Sequence, residues 1–371
     1  MPRVRPRIGF VIEQALGHVA YGMALRSALS TRNDMDCSWL EVPFPPGRFG
    51  KLPLVGKNWT VRGSFRARRA IAREHAQHPF DALFIHTQTI GLLSAGLMAR
   101  IPTLLSLDAT PVNYDELAEW YGDKVHSTPL ERAKLLAHRA VMRKAHSYTT
   151  WSEWAKRSLV GDYGVDASSI TVVAPGTVLS NFPDPGERAP RGQRRLRVLF
   201  VGGDFKRKGG DLLVSVWRER LKGKVELDLV TAADLSDEPG LRVHRGLKPH
   251  SPELMRRYAE ADVFALPTRG DCLAVVLGEA MASSLPIVTT HVGAHAEAVE
   301  DGESGYVISP DDARALGDRL DVLASDPELC SRMGRRSRQI GETRFDMTKN
   351  ANRIADLLLA MPGSRRPGPA L

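Results

Sequence analysis

Two stretches of this chain combine residue types suited to a phosphorylated, hydroxyl-rich ligand. The first reads Phe200-Val201-Gly202-Gly203-Asp204-Phe205-Lys206-Arg207-Lys208-Gly209-Gly210-Asp211-Leu212-Leu213. A strand-like run enters glycines, then a cationic cluster, then glycines that open a helix. Glycine lets a backbone approach a ligand closely, a helix start favours anions, and lysine supplies a point charge. These features predict a diphosphate site; a basic turn that happens to contain glycine fits the same residues equally well. The second stretch runs from Pro267-Thr268-Arg269-Gly270-Asp271 through Cys272-Leu273-Ala274-Val275 to Gly278-Glu279-Ala280-Met281-Ala282. With Asp271 ahead of the helix, it and Glu279 need not share a helical face. Glu279 lies among Leu277, Ala280 and Met281, where a charge is costly unless it is hydrogen-bonded. A pair of ribose hydroxyls would satisfy it, although a lone helical glutamate is more often a surface charge.

Residues of this kind need a scaffold that brings loop ends together. At 371 residues the chain is too long for one core, and two domains are expected. Short apolar runs alternate with amphipathic stretches throughout, the signature of βαβ units and a parallel sheet. In the first half the predicted strands are 7–12, 38–42, 82–86, 103–107, 147–151 and 170–174, and the predicted helices 19–29, 61–77 and 129–145. Thr128-Pro129-Leu130-Glu131 reads as a capping box with proline at the first helical position. A further helix is expected from a Ser152 cap to just before Gly164. The Pro-, Gly- and charge-rich segment around 180–195 predicts a linker. Beyond it the strands are 196–201, 225–230, 263–266 and 286–290. The helices there are 211–220, 252–261, 275–283, 311–325, 328–344 and 347–360. The expected domains are 1–182 and 193–345, with a final helix at 346–360 packing back on the first, and a disordered tail at 362–371.

Composition narrows the function. The three cysteines form no C-x-x-C pair, which suits a reducing compartment. No apolar run is long enough to cross a bilayer, and the stretch behind the basic amino terminus is too short for a signal segment, so a cytoplasmic location is expected. The net charge of +8 calls for an anionic partner. Aromatic residues at 6% and the lack of any nucleic-acid motif argue against nucleic acid. No G-x-G-x-x-G follows a strand and no P-loop is present, against dehydrogenases and NTPases. His291 and His295 have a glycine between them and no third ligand nearby in sequence, so no metal is expected. Within 59–77, Arg62, Arg66, Arg69 and Arg73 recur at helical spacing near Trp59, Val61 and Phe65. That pattern suits either peripheral contact with an anionic membrane or a solvated helix face.

Lys208-Gly209, Asp271-x(7)-Glu279-Ala280-Met281-Ala282, Pro286-Ile287-Val288, Val292-Gly293-Ala294 with Glu297, and Asp301-Gly302 with Gly305 fall in the order and spacing of a known family. The chain resembles the retaining glycosyltransferases of family four. Weaker agreement extends upstream through Trp151-Ser152-Glu153-Trp154, Asp162-Tyr163-Gly164-Val165 and Ala174-Pro175-Gly176. The resemblance implies a GT-B fold, with two Rossmann-like doubly wound domains facing across a cleft. It also implies metal-independent transfer of a hexosyl group from a nucleotide-diphosphate sugar, with retention, to a glycan, lipid or small-molecule acceptor, and so a place in cell-envelope or glycan biosynthesis. Donor binding would fall to the second domain and acceptor binding to the first, with a closure before transfer.

By the same resemblance Lys208 neutralises the donor diphosphate and Glu279 holds the ribose hydroxyls. Asp271 replaces the family's usual first Glu, which approaches the donor sugar. Gly202, Gly203, Leu273, Ala274 and Val275 complete the donor set. Gly203 stands near where many members carry Arg or Lys, and Lys206 or Arg207 remain as substitutes. In the first domain Glu13-Gln14-Ala15-Leu16-Gly17-His18-Val19 takes the place of the acceptor loop. Gly17 would let substrate approach, and His18 is either a ligand or a helix-start histidine. Many members place a His where this chain has Leu107-Asp108, which makes Asp108 a candidate contact for sugar or acceptor; a turn-capping Asp is the plainer reading. Two alternatives remain: a catalytically silent nucleotide-sugar-binding partner subunit, and a GT-B epimerase or phosphorylase.

Overall fold

The computed structural model describes residues 5–15, 17–44, 58–121, 129–182 and 194–362. The chain divides into two compact units. Unit 1 gathers Met1–Glu116, Lys124–Ala174 and Thr348–Leu371, and unit 2 holds Leu117–Asp123 and Pro175–Met347.

Unit 1 is built on six strands: β1 (Arg7–Gln14), β2 (Asp36–Pro43), β3 (Ala82–His86), β4 (Thr103–Leu107), β5 (Ser147–Thr150) and β6 (Ile170–Val172). They are ordered β2-β1-β3-β4-β5-β6 and pair in parallel. Every residue of β3 and β4 is buried, as a sheet covered on both faces requires. Ala67 and Ile71 of the helix Trp59–Gln77 join Val11, Leu83, Ile85 and Leu105 in one core. Ser152 caps the helix Glu153–Gly161, accepting from Ala155 N at 3.1 Å, and Gly164 follows in the left-handed region at φ 68°. The last helix, Met347–Leu359, supplies Ala351, Ile354, Ala355 and Leu358 as buried positions. Asn350 Nδ2 donates to Ala174 O at 2.9 Å, and Arg32 pairs with Asp356 at 3.0 Å.

Unit 2 repeats the plan with β7 (Leu196–Val201), β8 (Val225–Val230), β9 (Leu241–His244), β10 (Val263–Leu266), β11 (Ile287–Thr290) and β12 (Gly305–Ile308). Their order is β12-β11-β10-β7-β8-β9, again with parallel pairs.

Ten of the strands lie where the sequence put them, within a few residues. β9 and β12 are additional. Both are four-residue strands at a sheet edge, too short to carry a periodic signal. The helix expected at 211–220 is α-helical over Gly210–Val216 and widens to a π-turn at Trp217–Leu221, where Trp217 Nε1 reaches Val225 O at 2.8 Å. The helix expected from Asp311 begins at Ala313, because Asp311 has φ 60° and Asp312 is the cap. Unit 1 also ends sooner than residue 182. Thr177 N donates to Phe345 O and Met347 N to Thr177 O, both at 2.9 Å, so the chain is fastened within unit 2 directly after Pro175. Most of the expected linker, Thr128 of the expected capping box, Leu16 and the tail beyond Pro362 lie outside the described residues.

The arginine pattern in Trp59–Gln77 is not a single outward face. Arg62 is buried, and Arg66 donates to Pro43 O. No helix among the described residues is long and apolar enough to cross a membrane.

Candidate active site

In unit 2 the chain leaves β7 toward one edge through β8 and toward the other through β10. Such a switch point leaves a crevice beyond the carboxyl ends of the strands. Both chemistry-bearing motifs fall there, after β7 and after β10. Gly202 N donates to Val230 O at 2.9 Å, and a Cβ at Gly202 would come within 2.8 Å of the Lys208 side chain. Gly209 has φ 75°, and a Cβ there would lie 1.9 Å from Pro267 O. Only glycine permits that approach, which seats the cationic turn against the end of β10.

The result is a compact charge cluster. Lys208 Nζ is 2.7 Å from Asp271 Oδ2, and Arg207 Nη1 is 3.4 Å from Asp271 Oδ1. Thr268 Oγ1 donates to Asp271 Oδ2 at 3.3 Å. Arg207 also pairs with Asp204 at 3.0 Å and donates to Gly270 O. Burial pushes the Asp271 pKa upward, but Lys208 and Arg207 outweigh it and hold the carboxyl below its ordinary value. Asp271 is therefore ionised and fixes the two cations beside the helix Val275–Ala282.

That helix starts at Ala274, which offers no side-chain cap, so its first N–H groups stay available to an anion. Its entry loop is held by His295. Ala274 N donates to His295 Nε2 at 3.2 Å, so the proton resides on Nδ1, 2.8 Å from Thr289 Oγ1. Thr289 in turn donates to Leu266 O at 2.9 Å. Burial lowers the His295 pKa to about 4 and keeps the ring neutral, with both nitrogens committed to this chain of bonds.

Glu279, on the same helix, is 4% exposed. Tyr258 OH donates to its Oε2 at 2.7 Å, while Oε1 has His250 Nε2 only at 3.7 Å, beyond hydrogen-bond reach. Burial raises the Glu279 pKa to about 7, against the lowering effect of the Tyr258 bond. One carboxylate oxygen is thus satisfied and the other is left for a ligand.

Unit 1 has its own switch point, between β1 and β3. Glu13, His86 and Asp108 stand at or just past the carboxyl ends of β1, β3 and β4, and His18 opens the helix His18–Leu29. His18 Nδ1 lies 2.5 Å from Glu13 Oε1 in a close ion pair, and Nε2 lies 3.3 Å from Asp108 Oδ2. Tyr114 OH donates to Asp108 Oδ2 at 2.6 Å, and Trp59 Nε1 to Glu13 Oε2 at 3.1 Å. Burial lowers the His18 pKa, but Asp108 and Glu13 more than offset it and raise it to about 10. For Asp108 burial acts upward, and His18 outweighs it to bring the carboxyl down to about 2. His86 packs edge-on against His18 at 4.6 Å, and burial together with the His18 charge keeps it neutral. Three buried polar atoms of this group have no hydrogen-bond partner among the described residues: His18 Nδ1, which faces Glu13 only as an ion pair, and Asp108 Oδ1 and His86 Nε2, which have no such contact. Buried polar atoms are rarely left so, and Asp108 Oδ1 and His86 Nε2 are candidates for a ligand hydroxyl.

Residues 195–326 match the family profile described as Glycosyl transferases group 1, and residues 16–176 match the Glycosyl transferase 4-like domain. The chain belongs to the group 1 glycosyltransferases. It is 28% identical over 234 residues to D-inositol 3-phosphate glycosyltransferase of Corynebacterium urealyticum, covering 56% of this chain and 55% of that protein. Glycogen synthase of Mycobacterium tuberculosis is 26% identical over 283 residues, covering 69% of this chain and 68% of that protein. Matches to the corynebacterial relatives thus span little more than half of those proteins. Among solved structures, sucrose-phosphate synthase from Thermosynechococcus elongatus superposes with a TM-score of 0.76 at 17% identity, over 95% of this chain and 98% of that one. Anabaena HepE in complex with UDP and glucose gives 0.69 at 17% identity, over 95% and 99%. The two parallel six-stranded sheets are those of the GT-B fold.

Within this chain, Gly202, Arg207, Lys208, Asp271, Leu273, Ala274, Val275 and Glu279 gather at one end of the unit 2 sheet. Gly203 is exposed, with nothing near its missing side chain, and Lys206 is exposed as well. Arg207, not Lys206, turns inward beside Lys208. Both oxygens of Asp271 are engaged by its own chain. In unit 1 His18 and Asp108 meet directly, and the turn after β4 is capped by Asn113, whose Oδ1 accepts from Thr110 N at 3.1 Å, so Asp108 is not its cap. Gly17 is exposed with φ −66°, a backbone open to any residue. Sequence reasoning missed Glu13, His86, Tyr114, His250 and Tyr258 as partners of the site. Glu13 and His86 carried a signal, a polar residue at the carboxyl end of an apolar strand; Tyr114, His250 and Tyr258 carried none.

Proposed function

We propose that this chain transfers a hexosyl group from a nucleotide-diphosphate sugar to an acceptor hydroxyl, with retention and without a metal. The observation that carries the reading is the Lys208–Asp271–Arg207 cluster beside an uncapped helix start, with Glu279 one face away. A diphosphate placed there meets fixed cations and backbone donors, which stabilise the charge that develops as the sugar leaves. A ribose diol donates to Glu279 Oε1. HepE, which holds UDP and glucose in its crystals, supports a nucleotide sugar as the donor. In unit 1, Asp108 Oδ1 accepts from a hydroxyl of the transferred sugar or of the acceptor, and the His18 imidazolium holds Asp108 in place. Asp271 acts through Lys208 and Arg207 as a positioning residue in this scheme. The acceptor is a polyhydroxylated compound, in keeping with the names of the relatives.

Thermal unfolding of the purified chain with UDP, GDP or ADP and their sugar conjugates tests this. A ligand at ~100 times its dissociation constant stabilises the fold by about 2.7 kcal/mol. One nucleotide series is expected to raise Tm, and Glu279→Ala to abolish the rise. Because a ribose diol donates to the ionised carboxylate, the rise is expected to grow as pH passes upward through about 7. Anomeric proton couplings in the product report retention, and activity in EDTA reports metal independence. No Tm rise with any nucleotide overturns the donor assignment.

A further inference from the structure

Unit 1 carries a second concave site, away from the ends of the strands that bear Asp108. An open cleft of about 400 Å³ lies at the amino-terminal ends of β4 and β5. Arg100 projects from the loop before β4, and Arg143, Lys144 and His146 from the loop before β5. The two loops are fastened together, because His146 N donates to Thr103 O at 2.8 Å. Lys144 N donates to Val141 O at 2.9 Å and Arg100 N to Leu97 O at 2.9 Å, so both loops are closed by their own backbone bonds.

The charge here is unbalanced. No acidic side chain lines the cleft, and among the described residues none of the four basic side chains has an ion-pair or side-chain hydrogen-bond partner. Several surface arginines elsewhere are paired, among them Arg194 with Asp262, Arg220 with Asp318 and Arg336 with Glu300. Pro362 completes the lining. Like charges gathered in a concavity repel one another and focus a positive field, which a bound anion relieves. Two guanidinium groups and an ammonium match a phosphate, which arginine grips with parallel N–H donors. The volume is that of a small-molecule site.

We infer that this cleft is a separate binding site for a phosphate-class oxyanion, carried on a soluble phosphate ester or on a phospholipid headgroup. The assignment is independent of the donor chemistry in unit 2. It is tested on the full chain with glycerol phosphate followed by calorimetry, and with vesicles of phosphatidylglycerol in phosphatidylcholine followed by sedimentation. Three variants are compared: Arg143→Ala with Lys144→Ala, Arg100→Ala, and Lys208→Ala to remove the donor-site cation. All four basic positions of the cleft are exposed, so unchanged Tm values are expected and serve as the folding control. Ester binding that survives Lys208→Ala but weakens at least tenfold in both cleft variants establishes a soluble ligand. Vesicle binding lost in the cleft variants, with no ester binding, establishes a lipid headgroup. If neither ester nor vesicle binding differs between the wild-type chain and the cleft variants, the proposal is overturned.

Discussion

His18 is a buried cation held between two carboxylates, and its value to the protein depends on pH in a definite direction. Its folded pKa is raised from 6.5 to about 10, so the stabilisation is complete below about 6.5 and is lost as pH rises through 10. Asp108 runs the other way. Its pKa is lowered from 3.8 to about 2, so its share is present above about 3.8 and disappears as pH falls through 2. Their combined contribution peaks between about pH 4 and 6.5. His18→Gln leaves Glu13 and Asp108 buried without their cation and is expected to cost roughly 3–5 kcal/mol near pH 6. Urea unfolding should show that loss shrinking as pH rises through about 10, where the wild-type ring gives up its proton. Asp108→Asn is expected to cost less, since Glu13 still pairs with the imidazolium. Imidazole NMR shifts of the wild-type protein at pH 8 should be those of a protonated His18; a neutral ring at that pH overturns the arrangement. The sequence named both residues but not their union, because residues 90 positions apart meet only through strand order.

At the scale of elements, the decisive joint is the turn between β7 and the helix Gly210–Val216. Gly209 stands there at φ 75° with no room for a Cβ against Pro267 O. Gly209→Ala has to move either the turn or the end of β10. The backbone strain alone is of order 1–3 kcal/mol, and the clash adds to it. Urea denaturation should report that loss, and donor affinity should fall as well, because Lys208 and Asp271 lie on the two pieces forced apart. Gly203→Ala, where the added atom meets nothing, is expected to leave both quantities unchanged. This scale was the most legible in the sequence. Buried parallel strands are continuous apolar runs, and helices such as Glu153–Gly161 and Val275–Ala282 follow from caps or apolar content. What escaped had no local cause: the edge strands β9 and β12, the π-turn at Trp217, and the use of His295 as a neutral brace for the Ala274 loop. In each, tertiary packing decides the outcome and neighbouring residues say nothing.

Across the whole molecule, two parallel six-stranded sheets of different strand order carry different chemistry at their switch points. Unit 2 presents cations and an uncapped helix start, and unit 1 a hydrogen-bonded array of Glu13, His18 and Asp108. Fold class, and the place of both chemistry-bearing stretches just after strands, could be read because they rest on contiguous residues. The return of the last helix to unit 1 was expected, but the boundary of unit 1 could not be read, since it depends on where the chain fastens after Ala174. Stopping the chain after Asp346 removes Ala351, Ile354, Ala355 and Leu358 from the unit 1 core. Amide exchange on such a fragment is expected to show unit 1 unprotected while β7, β8, β10 and β11 of unit 2 keep their protection. Equal protection in both units would mean that the last helix is dispensable.

The final helix also gives the protein a history. Unit 1 is begun before Pro175–Met347 is made and completed only after it, by the helix Met347–Leu359. At synthesis rates of about 5–20 residues per second, its β-sheet waits on the order of ten seconds or more on the ribosome for the piece that covers it. During that interval the surface destined for Ile354 and Leu358 is open to water, to chaperones and to neighbouring nascent chains. The second-made unit can therefore mature first, while the older half waits for the helix that covers it.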